Sequence, residues 1–263
     1  MNADMDNRSI LQVLDSFQPI SLEKMNKVRL MNRIDRKYLF PVSMLPELLS
    51  GISDNYLIME IDNLRTFPYL TTYFDTPDLI FYNQHMRGMG ERFKIRHRTY
   101  LSSGTSYLEI KKKSIKGRTE KRRIAYPSEF DGFDERALSF ILSNTEVEPG
   151  LLSPLLLTSF SRTTIVNISS GERITFDHNL EMFDSQNKKG FSFLAVAELK
   201  KEMSSGPSFF AERAKKLGIR PVGFSKYCMG CHFLLDPPRA NLLKRKVLLI
   251  NRIKDESDNV ARA

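Results

Sequence analysis

Cations recur at alternate positions along several stretches of this chain. In 91–101, Arg92, Lys94, Arg96, Arg98 and Tyr100 share one parity, while Phe93, Ile95, His97 and Thr99 share the other. In 105–113, Leu108 and Ile110 oppose Tyr107, Glu109, Lys111 and Lys113. In 172–180, Ile174 and Phe176 oppose Arg173, Thr175 and Asp177. In 191–200, Phe193, Ala195, Ala197 and Leu199 oppose Leu194, Val196, Glu198 and Lys200. Lys121 and Arg123 share a face in 119–126, and Arg162 interrupts an apolar, hydroxylic stretch. Successive side chains of a strand point to opposite faces, so each stretch predicts a strand with one apolar and one charged face. A sandwich with solvated outer faces would alternate in this way. Two details favour a closed antiparallel barrel with a charged interior. Like charges side by side, such as Arg96 and Arg98, repel unless an anion lies between them. Single acids (Glu109, Asp177, Glu198) also stand two or four residues from a cation on the same face. Such a lumen suits a chain of phosphates, with Lys and Arg on the oxygens and a few carboxylates on a divalent cation.

The elements that must position these groups follow from periodicity and turn chemistry. Strands are predicted near 36–40, 56–61, 68–75, 91–101, 105–113, 119–126, 155–167, 172–180 and 191–200. Turns are predicted at Ser102-Ser-Gly104, Lys116-Gly117, Ser169-Ser-Gly171 and Lys188-Lys-Gly190. Ile10, Leu11 and Leu14 recur at helical spacing before Pro19, and Ser21 starts a second helix to about Leu30. Further helices are expected at 43–49, closed by Gly51, at 131–143, and at 207–217 with Pro207 near its first turn and Gly218 after its end. With no repeat or linker in view, residues 1–236 are read as one domain, its helices at 1–30, followed by a basic tail at 237–263. Lys244-Arg-Lys246 lies there among Leu, Val and Ile positions, as in a basic amphipathic helix or a frayed terminal one.

The composition bounds the function. The 263 residues are 41% hydrophobic and 27% charged, which excludes a wholly disordered chain. Forty Lys and Arg against 31 Asp and Glu leave a formal charge of +9, which points to a polyanionic partner. Two cysteines build no disulfide framework. The acidic start lacks the apolar region of a secretory signal, and no apolar run approaches a membrane span. A soluble, cytoplasmic protein is expected.

Eight short motifs then occur in order: Arg33-Ile-Asp-Arg-Lys-Tyr38, Tyr73-Phe-Asp-Thr76, Lys94-Ile-Arg-His-Arg98, Leu108-Glu-Ile-Lys111, Phe160-Ser-Arg-Thr163, Arg173-Ile-Thr-Phe-Asp177, Ala197-Glu-Leu-Lys200 and Phe224-Ser-Lys-Tyr227. Together, over about residues 21 to 232, they resemble the VTC domain, the polyphosphate-polymerase branch of the triphosphate tunnel metalloenzymes in the CYTH-like superfamily. The resemblance implies an α+β fold, an eight-stranded antiparallel β-barrel tunnel with helices packed outside. It also implies metal-dependent transfer of the γ-phosphate of ATP, or another nucleoside triphosphate, onto inorganic polyphosphate, with Mn²⁺ or Mg²⁺. Carried over motif by motif, Lys37, Arg96, Arg98, Lys111, Arg162, Arg173 and Lys226 would bind the triphosphate or product chain. Lys121 and Lys200 would add to that set. Glu198 would be the principal metal ligand, and Glu109 a further lumen acid. Family members often carry a lysine just before the Ser-Lys-aromatic motif; here Gly223 stands there, with Arg220 close by. The regulatory SPX domain and membrane helices of well-known eukaryotic members are not found, nor is the ExExK signature of the hydrolytic branches. The alternatives are an inorganic triphosphatase or nucleotide hydrolase of the same fold, and a non-catalytic module binding polyphosphate or nucleic acid.

Other signals are weaker. Cys228-Met-Gly-Cys231-His232 fits a c-type haem attachment pattern, but haem attachment requires export, and the same cysteines make only half a zinc site. His85, His97 and His178 lack metal-ligand spacing, and His97 falls on the apolar face of its strand. Lys111-Lys-Lys113 and Lys121-Arg-Arg123 resemble a nucleic-acid patch, yet no nucleic-acid-binding motif accompanies them. Lys112 and Arg122 are expected on a solvated outer face. Tyr73 and Phe74 are expected to pack.

Overall fold

The computed structural model describes residues 2–26, 33–115 and 118–260. The alternating stretches form one antiparallel path: β2 (Arg33–Pro41), β4 (Thr66–Asp75), β5 (Arg92–Tyr100), β6 (Thr105–Lys113), β7 (Thr119–Ala125), β8 (Ser153–Asn167), β9 (Glu172–Phe183) and β11 (Leu194–Glu202). Before and beside these run β1 (Gln18–Ile20), β3 (Leu57–Met59) and β10 (Lys188–Phe191). The spatial order is β2-β11-β9-β8-β4-β5-β6-β7, with β10 added to β9, β3 to β8 and β1 to β3. The expected tunnel is thus present as a curled antiparallel half-barrel in a mixed α+β fold. Its ladder runs from β2 to β7, and no pairing joins those two strands among the described residues. The β2 edge is met instead by the chain near residue 221: Tyr38 bridges Pro221, and the Val222 amide donates to the Lys37 carbonyl. β7 is exposed along nearly its whole length, its edge carrying the Lys and Arg residues that discourage pairing with other chains.

The apolar parity of each strand faces outward, under helices. α1 (Asn2–Asp15) and α3 (Leu45–Ser50) pack on each other, and α6 (Phe209–Lys216) joins them over the β2-β11-β9 part of the sheet. Ile10, Leu14, Leu48, Leu49, Phe210 and Ala214 there meet Tyr38, Phe40, Ile174, Phe176, Ala195 and Ala197. Fully burying one such side chain contributes roughly 1.5–3 kcal/mol. On the other half, Phe74, Ile95, Leu108 and Ile110 share a core with Ala137 and Ile141 of α5 (Glu135–Leu142). His97 lies on this apolar face, buried against Tyr126 and Phe130, as its parity predicted.

Further helices fill or flank the concave side. α7 (Lys226–Leu235) packs on β8, β9 and α4 (Ile80–Met86). Gly230 permits that approach, because a Cβ there would come within 2.9 Å of the Leu156 methyls. The α7 thiols Cys228 and Cys231 are buried and free. Asp75, itself fully buried, accepts from the amides of Phe81 and Tyr82 at the start of α4 and from the Tyr227 hydroxyl, tying α4 to α7. α2 (Leu22–Asn26) meets β9 through its Met25 carbonyl, which accepts from Arg173, its continuation toward Leu30 lying outside the described residues, as does the expected Lys116-Gly117 turn. The tail forms α8 (Lys244–Val260), which docks on β2 and β11 with Ile250 and Ile253 buried. Among the described residues, no helix is long and apolar enough to cross a membrane.

Several boundaries differ from expectation. Lys188 to Gly190 is strand, not turn: the turn is at Asp184, whose carboxylate accepts from the amides of Gln186 and Asn187 and so satisfies the reversal earlier. Pro207 precedes α6 because the N-cap is Ser208, whose hydroxyl accepts from the Ala211 amide. The first strand of the path is longer than expected, 33–41, because its register with β11 extends from Pro41 to Arg33.

Candidate active site

Residues directly opposite each other in an antiparallel ladder point to the same face, so the register collects the charged parities onto the concave side. Lys37 lies opposite Glu198, which lies opposite Thr175. Asp177 is opposite Arg162, Thr71 opposite Arg98, and Tyr73 opposite Arg96. Across the next pairs, Arg96 faces Glu109, Lys94 faces Lys111, and Lys111 faces Lys121.

Two carboxylates in this cleft are tightly held. Arg96 donates to Glu109 Oε2 from Nε at 2.8 Å and Nη2 at 2.5 Å, and Lys121 Nζ donates to Oε1 at 3.1 Å. Arg162 grips Asp177 with two parallel bonds of 2.6 and 2.8 Å, and Lys226 donates to Asp177 Oδ2. Glu198 is held more loosely: Lys200 stands 3.4 Å from Oε2 and Lys37 stands 4.0 Å from Oε1. Burial disfavours all three charges, but the surrounding cations outweigh it and hold each carboxyl well below the usual range.

Arg98 has no such partner among the described residues. It is 7% exposed, donates from Nε to Thr71 Oγ1 at 3.2 Å, and lies over the rings of Tyr69 and Phe160. Burial, then Arg96 and Arg162, push its guanidinium down to about 10. Arg96 and burial push Lys111 well below the lysine range. Burial pushes Lys226 down to about 8, against the pull of Asp177. Buried cations that lack counterions have few neighbours to lower their charging cost, and an anion would lower it.

The structure thus brings Lys37, Arg96, Arg98, Lys111, Lys121, Arg162, Lys200, Lys226 and Glu198 to one face. Arg173 stands apart. It lies opposite Lys200 in the ladder, but its Nη2 donates to the Met25 carbonyl at 2.9 Å, toward α2. The motif reading left out Lys94, whose Nζ donates to Ser225 Oγ at 3.0 Å and which burial pushes down to about 8. Its parity with Arg96 was the available signal. It also left out Asp177 as the partner of Arg162, and the aromatic bed of Tyr69 and Phe160, stacked at 5.3 Å, under Arg98, Arg162 and Lys226. Tyr73 packs, as expected, though its hydroxyl also acts on Arg96. Lys112 and Arg122 point outward, to Glu91 and Asn144.

The carboxylates bear on metal binding. Among the described residues, no three His, Cys, Asp or Glu side chains gather closely enough to cage an ion. Glu109 and Asp177 are engaged by guanidinium groups, which leaves Glu198, with 22% of its side chain exposed and only long ion pairs. One carboxylate fits Mg²⁺ or Mn²⁺, which commonly bind through one or two carboxylates with the remaining positions filled by substrate phosphates and water.

Comparison with known proteins completes the description. The model of the VTC domain matches residues 32–235. No curated protein matches the chain. Among solved structures, a candidate adenylate cyclase from Bacillus halodurans is similar at 14% identity, covering 78% of this chain and 97% of its own, with a TM-score of 0.49. A candidate adenylate cyclase from Vibrio parahaemolyticus has 14% identity over 75% of this chain and 97% of its own, TM-score 0.44. A candidate adenylyl cyclase from Hippeastrum, described as having a dominant triphosphatase activity, has 16% identity over 79% and 98%, TM-score 0.44.

Proposed function

The chain belongs to the VTC domain family, and from that premise we propose that it is a metal-dependent polyphosphate polymerase, transferring the γ-phosphate of ATP or another nucleoside triphosphate to a growing polyphosphate chain. The observation that carries this reading is Arg98, a buried guanidinium that meets no carboxylate among the described residues, set on the same strand face as Arg96 and under the field of Arg162. Arg98 is free to fork two phosphate oxygens, which suits guanidinium geometry. Lys111, Lys37 and Lys200 add point charges around Glu198. Phosphoryl transfer needs alignment and charge neutralisation more than covalent chemistry.

Glu198 would hold the Mg²⁺ or Mn²⁺ ion, which when bound withdraws charge from phosphate oxygens. The rest falls to the side chains. Arg96, Arg98 and Arg162 orient the triphosphate, and Lys121 and Lys226 sit behind Glu109 and Asp177 as a second tier of charge. Each cleft carboxylate is held ionised far below neutral pH and is therefore a weak base. An acceptor that is already an ionised phosphate needs no deprotonation, whereas a water nucleophile would benefit from a stronger base. That contrast favours chain extension over simple hydrolysis. A supply of nucleoside triphosphate fits a cytoplasmic setting.

Purified protein incubated with ATP and Mn²⁺ or Mg²⁺, with products resolved on a gel separating polyphosphate from free phosphate, tests the reading. A metal-dependent ladder is expected. Free phosphate alone would make the protein a triphosphatase. Tight binding of polyphosphate without any product would make it a binding module.

A further inference from the structure

Four consecutive residues, Gly223 to Lys226, bring four lysines to the start of α7. A Cβ on Gly223 would lie 3.9 Å from Cε of Lys246, from α8. The Phe224 carbonyl accepts from Lys37 Nζ at 2.8 Å, and Ser225 Oγ accepts from Lys94 Nζ at 3.0 Å. Lys226 is itself the fourth. Asp177 neutralises Lys226, and Glu198 lies 4.0 Å from Lys37. Among the described residues, neither Lys94 nor Lys246 has a carboxylate partner. The same convergence bears on the neighbouring His85. Its Nδ1 is buried without a hydrogen-bond partner, and burial together with Lys94, Arg92, Lys246 and Lys37 pushes the imidazole down to about 3. Lysines gathered at this density without counterions repel one another. α8 lies beyond residue 235, where the family match ends, and its buried Ile250 and Ile253 fix Lys246 at this spot.

We propose that Lys246, with Lys94, forms an additional phosphate subsite at the rim of the cleft, which takes a phosphate group of a linear inorganic chain lying beyond those held by Arg96, Arg98 and Arg162. The inference rests on the reading of the cleft as a triphosphate site. It makes the C-terminal helix part of the polyanion path, supplying from outside the matched domain a cation that position 223 cannot offer.

Calorimetric titration of the full chain without metal, with pyrophosphate and with a longer polyphosphate as probes, tests it. Lys246→Gln keeps most of the aliphatic stem on a half-exposed position, so the fold is expected to persist, which a melting curve checks. The longer chain should bind roughly three- to tenfold more weakly and its salt slope should fall by about one, while pyrophosphate changes less than about twofold. Lys244→Gln, on the exposed side of the same helix, should change neither. Adding Gly223→Lys to Lys246→Gln should restore the longer chain, since the Gly223 backbone avoids the left-handed region and leaves room. Unchanged polyphosphate affinity in Lys246→Gln, or equal losses for both probes, would overturn the subsite while leaving the central cleft intact. Failure of the unaltered protein to bind either probe would overturn both.

Discussion

Arg96 and Arg98 stand two residues apart on β5 and face the same cleft, yet among the described residues only Arg96 meets a carboxylate, that of Glu109. Arg98 rests on a hydroxyl and two aromatic rings. The difference divides their roles. Arg96 holds β5 to β6 through a buried ion pair, and a ligand drawn to it competes with Glu109. Arg98 can be neutralised without any pair being broken first, so the ligand recovers the cost of its burial.

Arg98→Met should therefore separate binding from stability. Losing charge-assisted bonds worth about 1.5–3 kcal/mol predicts a roughly 10- to 100-fold weaker tripolyphosphate complex. Removing an uncompensated buried charge should leave the melting temperature unchanged or raised. Calorimetry and thermal melting check the two halves, and a large fall in melting temperature would show that Arg98 is structural.

Arg96→Ala should lose both properties. It strands the fully buried Glu109 with Lys121 alone, which costs about 3–5 kcal/mol when a buried pair is broken. Lys112→Ala, removing an exposed pair with Glu91, should cost at most about 1 kcal/mol and leave affinity alone. Equal loss of affinity in the two variants would put the cations on an ordinary surface.

Glu198→Gln removes a negative charge from between Lys37 and Lys200. Metal-free tripolyphosphate should bind as well or better, while metal-dependent product falls about 100-fold or more, as expected when a group acting on the transition state is lost. The polyphosphate gel and a metal-free titration measure the two effects. Unchanged product formation would remove Glu198 as the metal ligand.

Lys94 and Lys226, both pushed down to about 8, make binding pH-dependent. A bound polyanion restores their charge, so near pH 8.5 binding should take up protons, and affinity should fall as pH rises further. The stability term has the opposite sign. Between about 8 and the unfolded lysine value near 10.4, the unfolded chain binds more protons, so these two groups make the ligand-free fold more stable as pH rises through that window. Binding heats that do not vary between buffers of different ionisation enthalpy would contradict the proton uptake.

Asp177→Asn should destabilise the fold by about 3–5 kcal/mol, because Asp177 is 3% exposed and is the shared counterion of Arg162 and Lys226. The start of α7 should loosen first. Urea unfolding measures the loss, and hydrogen exchange at Tyr227 to Met229 locates it.

Much of this architecture is local and was legible. Strand alternation has a period of two, so the parity carrying Arg96, Arg98, Lys111 and Glu198 was visible before any fold was known. The outward parity of Lys112 and His97 followed from the same rule. Boundaries slipped where side chains, not composition, set the turn, as at Asp184 and Ser208. The helical tail was visible as a pattern, but its docking was not, because Ile250 and Ile253 are buried where α8 meets β2 and β11, strands remote from it in the sequence.

By itself the sequence determined which residues share a face, since each strand's chemistry is written within a few residues. Tertiary structure alone decided which cations are neutralised. Arg96 meets Glu109 across 13 residues, Arg162 meets Asp177 across 15, and Lys37 reaches Phe224 across 187. Those meetings depend on ladder register and helix docking, and a shift of one residue would turn each side chain to the opposite face. The seat of Arg98 on a hydroxyl and two rings, the recruitment of Lys94 and the arrival of Lys246 from the last helix are products of that long-range geometry.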